Sequence, residues 1–238
     1  MTEAPTQDHA PGPDGGDPGR SPAAALLAAV REIALVLVIA LGLSLLIKTF
    51  LVQAFFIPSP SMENTLLVGD RVLVSKLTPG PFELKRGDIV VFSDSGQWLS
   101  PTSHESEGPV RDAIRSSLMF VGLLPADSDE HLIKRVIGLP GDKVACCDAE
   151  GRVTVNGRPL EEPYLYPGDD PSETPFSITV PAGRLWMMGD HRSDSADSRA
   201  HPDSSGGTIP MSDVVGKAFV KVWPLKRFGT LPDPPYAK

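Results

Sequence analysis

A long apolar run near the start of the chain constrains what the rest of the sequence can fold into. The uncharged stretch from Ile33 to Ile47 has 15 residues, whereas a helix that crosses a bilayer needs roughly 17–25 residues. Arg31 and Lys48 flank this stretch, and long cationic side chains can reach the membrane interfaces from inside a span. The sequence therefore predicts an anchor helix over residues 21–52, with the span itself at about residues 30–52.

The flanks of the run distinguish an anchor from a cleaved signal peptide. Ser21-Pro22 is a favourable helix start, because a capping residue precedes a proline in the first turn. Phe55-Phe56-Ile57 continues the apolar character where a signal peptide would have small residues for cleavage. We interpret the run as an uncleaved anchor and expect Phe55 and Phe56 to lie in the membrane interface. Residues 1–20 contain no apolar run and are rich in Pro, Gly and Asp, which predicts a disordered tail.

Beyond the anchor, apolar and polar residues alternate in short segments, as they do in half-buried β-strands. The segments are Arg71–Ser75, Asp88–Phe92, Leu132–Ile137, Arg152–Val155, Phe176–Val180, Arg184–Met188 and Lys217–Trp223. Asn156-Gly157 is a strong signal for a two-residue hairpin turn. Residues 53–238 are therefore predicted to form one all-β domain of antiparallel sheets that partly close like a barrel. Polar insertions are expected at about residues 93–130 and 191–210.

Two serines, Ser59 and Ser61, follow the anchor closely and could act on a substrate at a membrane surface. A serine is a weak nucleophile unless a base removes its proton. None of the five histidines has an obviously buried setting, so a Ser-His pair is possible but unsupported. Lys134 lies in the middle of a predicted strand, where burial can lower a lysine pKa enough for it to act as a base. A solvent-facing lysine on a half-buried sheet fits the same pattern, and the residues alone leave both interpretations open.

Four segments resemble, in order, the sequence boxes of the bacterial type I signal peptidases. They are Ile57–Met62, Gly69–Lys76, Lys134–Asp142 and Gly189–Arg199. The resemblance implies a membrane-bound serine endopeptidase of the Ser-Lys type, which removes signal peptides from exported preproteins and prefers small residues at positions −1 and −3. It also implies a cytoplasmic N-terminus and an extracytoplasmic catalytic domain, which the charges flanking the anchor do not determine.

The resemblance also implies roles for three residues that take part in the chemistry. Ser61 matches the family nucleophile, and Lys134 matches the general base. The Ser61 backbone N–H and the Ser59 hydroxyl would then hold the developing oxyanion.

Five further residues match positions that support the site. Ser195 matches the serine that orients the lysine amine, and Asp197 and Arg199 match an ion pair that braces the same loop. Ile57 and Ile133 match the residues that line the small pockets for the substrate side chains at −1 and −3.

Two positions depart from the family pattern, and one pair of residues is unusual. Pro60 stands where many relatives have glycine, and His191 stands where asparagine is usual. We expect no metal and no other cofactor, because the acidic segment around His191 has no fixed ligand spacing. Cys146 and Cys147 are adjacent, and we expect free or buried thiols, since neighbouring cysteines can pair only through a strained ring.

The sequence also bears on partners. The net charge of −8 and the lack of a clustered basic face argue against nucleic acid. Signal peptides of preproteins and the lipid bilayer are the expected partners, and a monomer is expected. The alternative function is a non-catalytic, membrane-tethered β domain that binds an extracytoplasmic partner. Only the constellation of Ser61, Lys134 and Ser195 separates the two functions, and it favours the enzyme.

Overall fold

The structure, a computed structural model, describes residues 22–94, 98, 108, 131–203 and 205–236. The predicted tail lies outside these residues, and so does nearly all of the predicted insertion at 93–130. The chain separates into two compact units, the first ending at Gly42 and the second beginning at Leu43. The first unit holds most of the N-terminal helix, and the second holds every strand among the described residues.

The helix α1 runs from Pro22 to Phe50 and contains 29 residues. Its segment Ala25–Ile47 has 23 residues and a mean hydropathy of 2.4. At about 1.5 Å per residue this segment is about 35 Å long, enough for a hydrocarbon core of roughly 30 Å. Its leucine, isoleucine and valine side chains are exposed. By length and composition, α1 can therefore span a membrane.

Twelve strands lie in the described part of the chain. They are β1 (Val52–Phe56), β2 (Arg71–Ser75), β3 (Ile89–Ser93), β4 (His131–Gly138), β5 (Lys143–Cys146), β6 (Val153–Val155), β7 (Arg158–Pro159), β8 (Phe176–Thr179), β9 (Arg184–Met188), β10 (Ile209–Pro210), β11 (Val214–Trp223) and β12 (Gly229–Thr230). All seven strands predicted from alternation are present. Those missed are β1, which had been assigned to the anchor and its flank, and the short strands β5, β7, β10 and β12.

The strands form two antiparallel sheets. The larger has the order β1-β2-β11-β3-β4-β9-β10, with β12 paired to β11, and the smaller has the order β7-β6-β5-β8. Asn156 and Gly157 connect β6 and β7 with positive φ values of 54° and 76°, as a two-residue hairpin turn requires. Within the described residues, β1 and β10 lie at opposite ends of the larger sheet and do not pair. Both sheets are therefore open, and the expected partial closure is absent from them.

Strand β1 begins where the end of the anchor was expected. The helix ends at Phe50, and Val52 already pairs with Ser75 of β2. Phe55 is 2% exposed and belongs to the hydrophobic core. The expectation that Phe55 lies in the membrane interface is therefore wrong. Side chains of a strand alternate between its two faces, and Phe55 lies on the face that packs into the domain.

The adjacent cysteines also differ from expectation, because Cys146 and Cys147 are joined by a disulfide. Neighbouring side chains in a regular strand point to opposite faces, but β5 ends at Cys146. Cys147 therefore lies outside the regular strand and can turn toward its neighbour. The prediction of free thiols is wrong.

Strand β4 lies inside the larger sheet, between β3 and β9. Six of its residues are buried, including Lys134 and Arg135, which are 2% and 1% exposed. The loop that follows β9 forms three short 3₁₀ turns, at Arg192–Asp194, Ser198–Ala200 and Ser205–Gly207. The described residues of the expected polar insertion at 191–210 thus include these turns and the short strand β10.

The position of β1 predicts where the anchor can be removed without unfolding the β domain. A protein that begins at Leu51 keeps β1 and should stay folded, with a melting temperature close to that of the full chain. A protein that begins at Ile57 loses β1 and should be strongly destabilised. Circular dichroism during heating measures both. As a control within the full chain, Phe55→Ala should lower the free energy of unfolding by about 3–5 kcal/mol. Equal stability of the two shortened proteins would contradict this boundary.

Candidate active site

Ser61 and Lys134, which are 73 positions apart in sequence, meet in the folded domain. Lys134 Nζ lies 2.5 Å from Ser61 Oγ, and both residues are buried. Ser61 is held in the 3₁₀ turn Pro60–Met62, which begins four residues after the end of β1, and Lys134 is held in β4. The solvent-facing interpretation of Lys134 is therefore wrong. The side chain is buried because the turn that carries Ser61 and the loop after β9 cover its face of β4.

Pro60 suits the backbone that carries Ser61. It occupies the first turn of the 3₁₀ segment, where its missing N–H leaves no hydrogen bond unmade. Ser59 before it is extended, with φ −120° and ψ 155°, as expected for a residue that precedes proline. The Ser59 hydroxyl lies 3.3 Å from Ser61 Oγ. Although many relatives have glycine at position 60, the proline thus allows the hydroxyls of Ser59 and Ser61 to lie next to each other.

The surroundings of Lys134 favour its neutral amine. Burial lowers the pKa of Lys134 to about 8, although the carboxylates of Asp197, Asp190 and Asp194 oppose the shift. With a pKa of about 8, about a tenth of the amines are neutral at pH 7, compared with about 0.04% for an unperturbed lysine. A neutral amine at hydrogen-bond distance from a hydroxyl can take its proton. The pair therefore has both the geometry and the electrostatics of a base with its nucleophile.

Ser195 lies beside the pair without joining it. Its Oγ is buried and makes no hydrogen bond to the Lys134 amine. The hydroxyl lies against Gly189, so closely that a Cβ at Gly189 would collide with it. The predicted hydrogen bond from Ser195 to the Lys134 amine is therefore not formed in this structure.

The predicted ion pair of Asp197 and Arg199 is present. Arg199 Nε lies 2.9 Å from Asp197 Oδ1, and a second guanidinium nitrogen lies 2.9 Å from Oδ2. Asp197 Oδ2 also accepts the backbone N–H of Gly189 at 2.9 Å. Burial by itself would raise the pKa of Asp197, but the Arg199 guanidinium holds it below the usual range. This pair fixes the loop after β9 next to Lys134.

A second buried ion pair was not predicted from the sequence. Arg135 Nε and Nη2 donate to Asp190 Oδ1 and Oδ2 at 2.8 and 2.6 Å. Thr65, four positions after Ser61, donates its hydroxyl to Asp190 Oδ2 at 2.5 Å. Asp190 thus connects the lysine strand, the segment after the serine and the loop after β9. Both charged residues lie in the quoted sequence boxes, and a buried arginine needs a carboxylate partner, which is the signal that could have revealed the pair.

His191 contributes its backbone to the site. Its N–H donates to the Ser61 carbonyl at 3.1 Å. The imidazole stacks on Tyr166, with ring centroids 4.0 Å apart, and Nδ1 lies 3.9 Å from Glu63 Oε2. Among the described residues, no three His, Cys, Asp or Glu side chains come together in a way that could hold a metal ion. The nearby carboxylates of Asp190 and Asp197 are instead paired with arginines.

Ile57 and Ile133 lie near the pair in sequence and in the same hydrophobic cluster. They are 1% and 7% exposed. Among the strands that the structure describes, β1, which leads into Ile57, pairs with β2 alone and is an edge of the larger sheet. An edge strand can accept an extended peptide as an additional strand. This edge strand leads toward Ser61 along the chain.

The fold and this site together define a class: an antiparallel β domain behind a membrane-length helix, with a serine paired to a buried lysine, as in a serine hydrolase. Residues 30–223 match the model of the family described as signal peptidase, peptidase S26. The chain belongs to this family, and within it to the bacterial type I signal peptidases, which are serine endopeptidases. Its activity is the removal of signal peptides. This membership sets aside the alternative of a non-catalytic binding domain.

Curated relatives agree with the family assignment. A probable signal peptidase I of Mycobacterium leprae is 41% identical over 229 residues, which cover 84% of this chain and 78% of the relative. Signal peptidase I of Mycobacterium tuberculosis is 41% identical over 223 residues, which cover 85% and 75%. Signal peptidase I of Leptolyngbya laminosa is 36% identical over 210 residues, which cover 88% and 86%.

The buried ion pair at Asp190 predicts a large effect on stability. Arg135→Ala would leave a buried carboxylate without its partner and should lower the free energy of unfolding by about 3–5 kcal/mol. The matched control is Arg152→Ala, which removes ion pairs on a side chain that is 36% exposed and should cost less than about 1 kcal/mol. Urea unfolding of both variants measures the difference. Similar losses would show that the Arg135–Asp190 pair does not brace the domain.

Proposed function

We propose that the chain is a membrane-anchored signal peptidase in which Ser61 is the nucleophile and Lys134 is the general base. The observation that carries the proposal is the 2.5 Å contact between Lys134 Nζ and Ser61 Oγ, combined with the burial of that amine. The family establishes the reaction, and this contact supports the assignment of the two reacting groups.

The proposed reaction proceeds through an acyl-enzyme. Neutral Lys134 takes the proton of Ser61 as Oγ attacks the scissile carbonyl, and the resulting ammonium protonates the leaving amine of the mature protein. The neutral amine then activates a water molecule, which hydrolyses the ester and restores both side chains. The Ser61 backbone N–H and the Ser59 hydroxyl, 3.3 Å from Ser61 Oγ, would stabilise the oxyanion.

The other predicted residues have supporting roles in this proposal. Asp197 and Arg199 brace the loop next to the lysine, and a rotation of the Ser195 side chain would bring its hydroxyl toward the amine once substrate is bound. The signal peptide would lie extended along the free edge of β1, and Ile57 and Ile133 would restrict the side chains at −1 and −3 to small residues such as alanine.

The anchor places this chemistry at the membrane in our proposal, with the N-terminus in the cytoplasm and the β domain outside it. Ser61 follows the end of α1 at Phe50 by 11 residues. Each residue extends the chain by at most about 3.6 Å, so Ser61 lies within about 40 Å of the end of the helix. A nucleophile on this tether meets substrates that are themselves held at the membrane.

The decisive experiment replaces each member of the pair. Ser61→Ala and Lys134→Ala should each lower kcat on a preprotein by at least about a thousandfold, and the double variant should be no worse, because the two groups act as one unit. Lys134→Arg should be equally inactive, since a guanidinium group keeps its proton. Lys143→Ala, at an exposed position, is the control and should retain full activity. Substantial cleavage by Lys134→Ala would reject lysine as the base.

The buried lysine also predicts the pH dependence. Because only the neutral amine is active, kcat/KM should rise with pH and reach half its maximum near pH 8, the value expected from the pKa of Lys134. Asp194 lies on the loop beside the amine and raises this pKa. Asp194→Asn should therefore shift the midpoint to lower pH without abolishing cleavage. A midpoint near pH 10, or one that Asp194→Asn shifts upward, would contradict the proposed base.

A further inference from the structure

The C-terminal segment Leu231–Tyr236 covers the side of β4 that faces away from the reacting amine. Neighbouring residues of a strand point to opposite faces, so Arg135 extends away from Lys134. Arg135 Nη1 donates to the Gly87 carbonyl at 2.8 Å. Pro234, which is buried, packs directly on Gly87, where a Cβ would lie 2.6 Å from the proline Cδ. The segment therefore lies over the backbone that holds the Arg135 guanidinium.

Two tyrosines connect this segment to the guanidinium. Arg135 Cζ lies 3.8 Å from the centroid of the Tyr164 ring, in the range of a cation–π contact. Tyr164 donates its hydroxyl to Glu162 Oε1 at 2.8 Å. A phenol has one proton to donate, so the hydrogen bond between Tyr236 and Tyr164 has Tyr236 as its donor. Burial raises the pKa of both phenols, and both therefore remain protonated.

Tyr164 is also linked to the loop after β9, through its hydrogen bond to Glu162. Glu162 forms a buried ion pair with Arg192, and Arg192 Nε donates to the Gly189 carbonyl at 2.9 Å. Gly189 lies against Ser61, since a Cβ on it would be 2.5 Å from the Ser61 carbonyl oxygen. Tyr164 is thus linked to Ser61 through Glu162, Arg192 and Gly189. It is linked to β4 through its contact with Arg135.

We propose that Tyr236 is a positioning residue for the reaction. It holds Tyr164 against Arg135 and Glu162 and so keeps Ser61 and Lys134 at hydrogen-bond distance from each other. The inference rests on the proposed roles of Ser61 and Lys134. The two groups belong to separate segments of the chain, and a displacement of about 1 Å at a reacting pair can cost on the order of a hundredfold in rate. Tyr236 touches neither group and acts only through these intermediates.

The test compares Tyr236→Ala with Tyr236→Phe in the full-length protein, assayed in detergent on a preprotein. Tyr236→Ala should lower kcat by about 10- to 100-fold and change KM by less than about twofold, because the reacting groups are misplaced while the binding edge at β1 is intact. Tyr236→Phe keeps the ring against Tyr164 and should lose less than about threefold.

Phe176→Ala is the matched control for a loss of stability alone. Phe176, in β8 of the smaller sheet, is also a half-buried aromatic residue, and it stacks on Trp186 of β9, with ring centroids 5.2 Å apart. It should lower the melting temperature while kcat stays within about twofold below that temperature. A Tyr236→Ala enzyme whose kcat falls no further than that of Phe176→Ala would overturn the proposal.

The pH profile gives a readout that a purely structural role would not change. The amine of Lys134 is buried and is influenced by Asp190, Asp194, Asp197 and Arg199. Because Tyr236 lies on the other side of β4, its loss would act on the amine only by shifting β4 against the loop after β9, which changes the distances from the amine to these four charges. The midpoint for Tyr236→Ala should therefore differ from that of the unmodified protein, whereas that for Phe176→Ala should not move. An unchanged midpoint together with an unchanged kcat contradicts the proposal.

The outcomes separate this inference from the proposed function. If Ser61→Ala retains activity, the Ser-Lys assignment fails. If Ser61→Ala is inactive but Tyr236→Ala behaves like the control, only the positioning role is wrong. If Tyr236→Ala does not fold at the assay temperature, Tyr236→Leu decides. That variant keeps an apolar side chain at the position and removes both the ring contact with Tyr164 and the hydrogen bond to it, so a lower kcat with unchanged KM supports the proposal and an unchanged kcat overturns it.

Discussion

Two adjacent cations are buried on the interior strand β4, and the rest of the site depends on how differently the protein surrounds them. Arg135 has a complete carboxylate partner in Asp190, which raises the pKa of the guanidinium although burial opposes the shift. Lys134 has no ion-pair partner among the described residues, and burial lowers its pKa. One cation is therefore fixed in charge and orders the structure, while the other can lose its proton.

Arg135, the cation that keeps its charge, explains how distant segments meet. The Asp190 carboxylate receives Arg135 from β4 and Thr65 from the segment after Ser61, while the next residue binds the Ser61 carbonyl through its backbone N–H. A buried carboxylate is costly unless it is paired and hydrogen-bonded, so these contacts must form together. The same arrangement that satisfies Asp190 thereby brings the serine to the lysine.

Much of the architecture could be predicted from local pattern. Alternation identified seven strands because one side of each packs into a core, and Asn156-Gly157 revealed its hairpin because both residues tolerate positive φ. Strand β1 was missed because its sequence continues the apolar run of the helix, so that composition alone does not separate lipid-facing residues from core residues such as Phe55. The contact between Tyr164 and Tyr236 leaves no local signal at all, since it joins residues 72 positions apart.

The sequence by itself determined the anchor-length helix, the antiparallel β class, the family and the two residues that meet at the site, because these follow from periodicity and from motifs within short segments. Only the tertiary structure decided that Lys134 is buried rather than solvent-facing, that Ser195 lies against Gly189 instead of the amine, and that Asp190 joins three segments. Each of these features depends on which distant parts of the chain pack together and so exclude water from the groups between them. Burial, and the pKa shift that follows from it, are properties of the packed domain and not of any one segment.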